Sequence, residues 1–166
     1  MKTQNLSSDQ IHQYFNVHVR YEVQMLLHVT SGVLEKIQVP QMLMHAPIES
    51  YAIHLRNIIT FLYPSTVRDS DICAKDFFVD SETWSKIRPP LSDSLEKAKR
   101  RADKEVGHLT TARISGSPDE KQWDVKNLTG EIFPIMRFFV ESADRVKLRG
   151  SLDELDTYFS QIKPLL

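Results

Sequence analysis

The sequence predicts an all-α protein, an up-and-down bundle of four main helices with a fifth helix added at the C-terminal end. Three observations carry that expectation. Apolar residues recur at spacings of three, four and seven over long stretches, the period of one helix face. Serines and prolines stand where those stretches begin and stop. Five glycines in 166 residues are too few for a turn-rich β architecture. The apolar share of 41% is enough for one buried core, so residues 1–166 are expected to form a single domain.

Ser7 or Ser8 suits the N-cap of the first helix, since a serine oxygen accepts from an orphan N–H of the first turn. Ile11, Phe15, Val19, Leu26, Val29 and Val33 form its stripe, flanked by Tyr14 and Met25, and the helix is expected to reach about Val39, before Pro40. Pro47 suits the first position of a second helix. Ile48, Tyr51, Ala52, Leu55, Ile58, Ile59 and Leu62 give it a buried stripe, and Pro64 ends it. Between 65 and 90, residues 71–78 read as a short helical turn that docks Phe77 and Phe78 on the bundle, and Pro89-Pro90 closes the connection.

Ser92 or Asp93 caps a third helix expected to run to about Ile114. Gly116, Ser117 and Pro118 form a turn. Ser117 or Asp119 starts a fourth helix carrying Trp123, Leu128, Ile132, Ile135, Met136, Phe139 and Ala143. Pro134 lies inside it, with a kink expected against the Gly130 carbonyl. After Gly150, Ser151 caps a last helix with Leu152, Leu155, Tyr158, Phe159 and Ile162. Helices joined by short turns favour an up-and-down order.

A net charge of -1 provides no global basic field for nucleic acid. Cys73 is the only cysteine, which excludes an internal disulfide and CxxC zinc sites and fits a reducing compartment. The first residues lack the apolar centre of a signal peptide, and no apolar run approaches the roughly 20 residues of a membrane span, so a cytoplasmic location away from membranes is expected. Gly-rich phosphate loops, HExxH and GxSxG are lacking.

Four polar constellations remain. Arg101 and His108 are two helical turns apart, roughly 10 Å along one stripe, with Arg100 and Lys104 beside them. An imidazole moves protons near neutral pH, and a guanidinium holds phosphate oxygens and stabilises developing charge, which suits phosphodiester cleavage. The alternative is a solvated basic helix face. His54, Arg56 and Asn57 crowd an otherwise apolar helix and require partners, with Glu49 a candidate; they read either as a site or as a network fixing helix register. Glu105 with His108 is half of a di-iron signature, His18 and Glu22 could add ligands, and His54 with His108 is the alternative set for one divalent ion; no resident metal or cofactor is expected from this half-signature. Finally, Lys97, Lys99, Arg100, Arg101, Lys104 and Arg113 form a basic run interrupted by acids, either a solvated face or a phosphate-contacting strip. Trp84 and Trp123 read as core.

The segment Arg101-Ala102-Asp103-Lys104-Glu105-Val106-Gly107-His108, on a late helix of a bundle, resembles the Arg-x4–6-His motif of HEPN domains. The segments His54-Leu55-Arg56-Asn57 and Gly107-His108-Leu109-Thr110 are similar to those of bacterial helical proteins of that group. Ala102 departs from the Asn, Asp or His that usually follows the arginine. The resemblance implies a homodimer with a composite cleft and metal-independent endoribonuclease activity in toxin–antitoxin or phage-defence systems, with RNA and a protein such as an antitoxin as partners. By position, His108 would serve as acid or base at the ribose 2′-hydroxyl and Arg101 would stabilise the transition state, with His54, Arg56, Asn57, Arg100, Lys104 and Arg113 in supporting or binding roles. The contrasting expectation is a non-enzymatic helical interaction or regulatory protein, in which Arg101 and His108 are satisfied internally; a metal-binding bundle is third.

Overall fold

The computed structural model describes residues 6–36, 38–43, 45–108, 110–115, 117 and 119–148, with positions 157, 160 and 164; the side chains of 112 and 113 fall outside it. Among the described residues the secondary structure is entirely helical. The fifth helix expected after Ser151, and the turn residues Gly116 and Pro118, lie outside the described residues.

The chain begins with α1, Ser8–Tyr14, passes through a π-helical segment, Phe15–Val19, and continues as α2, Arg20–Leu34. Ser7 is the N-cap. Its hydroxyl accepts from the Gln10 amide at 3.2 Å while Gln10 Oε1 accepts from the Ser7 amide at 2.9 Å, a reciprocal capping box. The helix stops at Leu34, short of the expected Val39, where Lys36 takes the left-handed φ of 54° common just past helix ends. The π segment widens one turn and rotates the face that α2 presents to the core. Val23 and Leu27 are therefore buried with Leu26, whereas Val29 and Val33 are only partly covered.

α3, Ala46–Leu62, starts with proline in its first turn as expected and packs along α2. Its end is tied down. Trp84 Nε1 and Arg88 Nη1 both donate to the Leu62 carbonyl, at 2.8 and 3.2 Å, satisfying an acceptor that the helix leaves open before Pro64. Trp84 sits on α4, Thr83–Ile87, a helix the sequence did not announce. The expected turn is a 3₁₀ segment, Ala74–Phe77, and Phe77 and Phe78 are buried.

α5, Asp93–Arg101, is capped by Ser92 and runs into a second π segment, Ala102–Val106. The helix expected to reach Ile114 thus ends at Val106, with a separate 3₁₀ turn at Thr111–Ile114. α6, Val125–Ser142, starts later than expected because the Asp124 carboxylate accepts from the Asn127 amide at 3.2 Å and caps it. α6 continues through Pro134, which is exposed, and a four-residue α7, Arg145–Leu148, comes after it.

The core centres on Phe139. Its ring meets Phe61 at 5.2 Å, Trp84 at 5.4 Å and Phe77 at 5.7 Å in edge-on contacts, the geometry favoured by aromatic quadrupoles. Thr30, Tyr51 and Thr129 are fully buried polar residues that satisfy one another: the Thr129 hydroxyl is 3.2 Å from Thr30 and 3.1 Å from Tyr51. No helix among the described residues is long and apolar enough to cross a membrane.

Candidate functional site

Arg101 ends α5 with its side chain only 15% exposed. Nε and Nη2 donate to the two Glu105 carboxylate oxygens, each at 3.2 Å. Nη2 also donates to the Lys121 carbonyl at 2.8 Å, and Nη1 to the Gln122 carbonyl at 3.1 Å. The guanidinium lies 4.5 Å from the centre of the Trp123 ring. A planar fork with five N–H donors suits this arrangement, in which one cation holds a carboxylate, two backbone carbonyls and an aromatic face. The carbonyls belong to the connection before α6, so Arg101 fastens that connection to α5.

His108 lies beyond the second π segment. The Gly107 amide donates to the Ala102 carbonyl at 2.8 Å, closing the wide turn, and His108 comes next as an exposed residue in a bend. The single straight stripe expected to carry both Arg101 and His108 is therefore interrupted. Glu105, half of the expected Glu-x-x-His pair, is the partner of Arg101. Arg100 is exposed beside Glu96 at 3.7 Å, and Lys104 is exposed. The Arg113 side chain lies outside the described residues.

His54, Arg56 and Asn57 are brought into one network, with partners other than Glu49. Glu22 Oε2, from α2, accepts from His54 Nδ1 at 2.8 Å and from Asn57 Nδ2 at 3.1 Å. A carboxylate acceptor requires the proton on Nδ1 of that imidazole. Arg56 donates from Nη1 to Asn57 Oδ1 at 3.2 Å and from Nε to Asp103 of the second π segment. The network thus crosses from α2 through α3 to the segment after α5. Lys99 is close by. Burial lowers its ammonium pKa and Arg56 lowers it further, while Asp103 and Glu96 work the other way.

On the other side of Glu22 and Asn57 a recess of about 540 Å³ opens. The first helix supplies Tyr14, His18 and Glu22, α3 supplies Asn57, Thr60 and Phe61, and the stretch from Pro64 to Cys73 forms the third wall. The π segment sets this wall: Tyr14 immediately precedes it and His18 lies within it, their ring centres 4.9 Å apart, and Glu22 stands one turn later. A smaller recess of about 280 Å³ adjoins it and shares Tyr14, His18 and Ile72. The Tyr14 hydroxyl pKa is raised, chiefly by burial and then by the negative charges of Glu22 and Asp71. Burial pushes the Cys73 thiol up to about 12, with Asp76 adding to the shift.

Glu22, Asp103 and Trp123 are the residues that organise these sites; the sequence singled out Glu22 only as a possible metal ligand beside His18, read Trp123 as core and gave Asp103 no partner. Glu22 is 32 residues from His54, and no local pattern connects them. The π segments, a feature that occurs often at functional sites, carry no sequence signature. Among the described residues no group of three or more His, Cys, Asp or Glu is placed to hold a metal ion. Comparison of the chain with family models, with curated proteins and with solved structures found no match.

Proposed function

We propose that this chain is a non-enzymatic interaction protein of HEPN-like helical build, in which Arg101 is a structural clamp. The observation that carries this reading is the engagement of the Arg101 guanidinium by Glu105, Lys121, Gln122 and Trp123, which leaves little of it to meet a phosphate. Val17, Tyr21 and Ile53 support it, since these large apolar side chains on the first helix and α3 are exposed and a protein partner would cover them.

A second reading is a metal-independent endoribonuclease acting as a homodimer in a toxin–antitoxin or phage-defence setting. It is favoured by the exposure of Arg100, Lys104 and His108 near the end of one helix, where two cations suited to a backbone phosphate stand near an imidazole suited to general-base work. In this reading His108 takes the proton of the ribose 2′-hydroxyl and the exposed cations hold the phosphate.

Incubation of end-labelled RNA with the wild-type protein in EDTA separates the two. Intact RNA is the expected result. Cleavage that His108→Ala abolishes in a folded preparation would establish the ribonuclease and remove the interaction reading.

A further inference from the structure

We infer that the recess between the first helix, α3 and the Pro64–Cys73 stretch binds a small molecule carrying a primary ammonium group on an apolar body. This goes beyond the function proposed above and stands whether the chain cleaves RNA or not. The volume, about 540 Å³, lies in the range of small-molecule sites.

The chemistry of the walls selects the charge. Neither lysine nor arginine is among the described lining residues, while Glu22 and Asp71 are, so the two carboxylates repel a phosphate or carboxylate ligand and attract a cation. Glu22 is half used. Its Oε2 takes both the His54 and Asn57 donors, and no described donor reaches Oε1. Holding one oxygen from two sides fixes the carboxylate and leaves the other for a ligand N–H, a charge-assisted hydrogen bond to a half-buried carboxylate.

A second feature of the wall is independent of the acids. The Thr60 hydroxyl oxygen, on a residue of this wall, is buried and has no hydrogen-bond partner among the described residues, so its capacity is unused. Tyr14, His18 and Phe61 supply ring surface for an apolar or aromatic body, and Tyr14 adds a hydroxyl acceptor. The Tyr14 pKa is raised chiefly by burial, with the charges of Glu22 and Asp71 adding to it.

The test uses the whole protein, ¹⁵N-labelled, titrated with phenethylammonium, with neutral 2-phenylethanol and with phenylacetate. Phenethylammonium is expected to shift the amides of Tyr14, His18, Asn57 and Ile72 saturably, about tenfold more tightly than the alcohol, with no saturable shift from the acid. Glu22→Gln should weaken the amine about tenfold. Because Glu22 also holds His54 and Asn57, Asp71→Asn serves as a second variant on an exposed residue, where a two- to fivefold loss is expected. Equal binding of amine and alcohol, indifference to both substitutions, or no saturable shift up to about 10 mM amine would overturn the assignment.

Discussion

Two polar regions, one joining α5 to the connection before α6 and the other joining α2 to α3, are built in opposite ways. Around Arg101 the donors are spent: a bidentate carboxylate, two carbonyls and a tryptophan face surround a side chain that is 15% exposed. Around Glu22 the donors are arranged to leave something over. One carboxylate oxygen is held, the other has no donor among the described residues, and Glu22 lines a recess of about 540 Å³. A charged side chain used to fasten the chain shows closure of its hydrogen-bond capacity, whereas one that serves recognition keeps capacity in reserve. The residue pattern that looked most like chemistry in the sequence is the closed one.

That contrast can be broken by substitution. Arg101→Ala should have the largest effect. It removes the clamp and leaves Glu105 and the Lys121 and Gln122 carbonyls without their donor, at a cost of about 2–4 kcal/mol in urea unfolding. A loss under about 1 kcal/mol would mean that the clamp is dispensable. Glu22→Ala should cost less, about 1–2 kcal/mol, because it strands the buried His54 Nδ1–H while the recess already admits water to the carboxylate. A double-mutant cycle with His54→Ala would isolate their coupling, and the absence of coupling would dissolve the network.

Smaller effects sharpen the same comparison. Arg56 and Asp103 are 41% and 33% exposed, so Arg56→Ala is expected to cost only about 0–1 kcal/mol and to cost less still at high salt. Arg100→Ala, adjacent to the clamp but solvated, should stay within about 0.5 kcal/mol. If Arg100 proved as costly as Arg101, exposure would not be what distinguishes them. Cys73, on the recess wall, is buried and its thiol is held up near 12, so at pH 8 it is neutral in the native state and should alkylate with iodoacetamide only as fast as the protein opens. Rapid labelling of native protein would show the third wall to be open.

Much of the fold was legible from the sequence. Pro47 and Pro64 bracket α3, Ser7 and Ser92 cap their helices, and Phe77 and Phe78 dock as their apolar character requires. What was not legible has common physical causes. A π turn changes the side-chain period without changing composition, so Val23 and Leu27 replaced Val29 and Val33 inside, and the helix bearing Arg101 ended before His108. The start of α6 shifted from Asp119 to Val125 because Lys121 and Gln122 give their carbonyls to Arg101 and Asp124 makes the cap. The partners of His54 and Arg56 come from residues far along the chain, which no spacing rule reaches. Glu105, read as a metal ligand on its spacing to His108, is set four residues from Arg101, the helical spacing of an ion pair.

The state of the Arg101 guanidinium tests the central contrast most directly. Its Nε–H exchange with solvent can be followed by NMR in the intact protein, with Arg100 as the internal reference. Protection of the Arg101 Nε–H far beyond that of Arg100 is the expected result, since the first donates to Glu105 in a covered pocket and the second stands in solvent. Equal, fast exchange of both would contradict the clamp, return Arg101 to the surface and with it the phosphodiester chemistry that its spacing to His108 suggested.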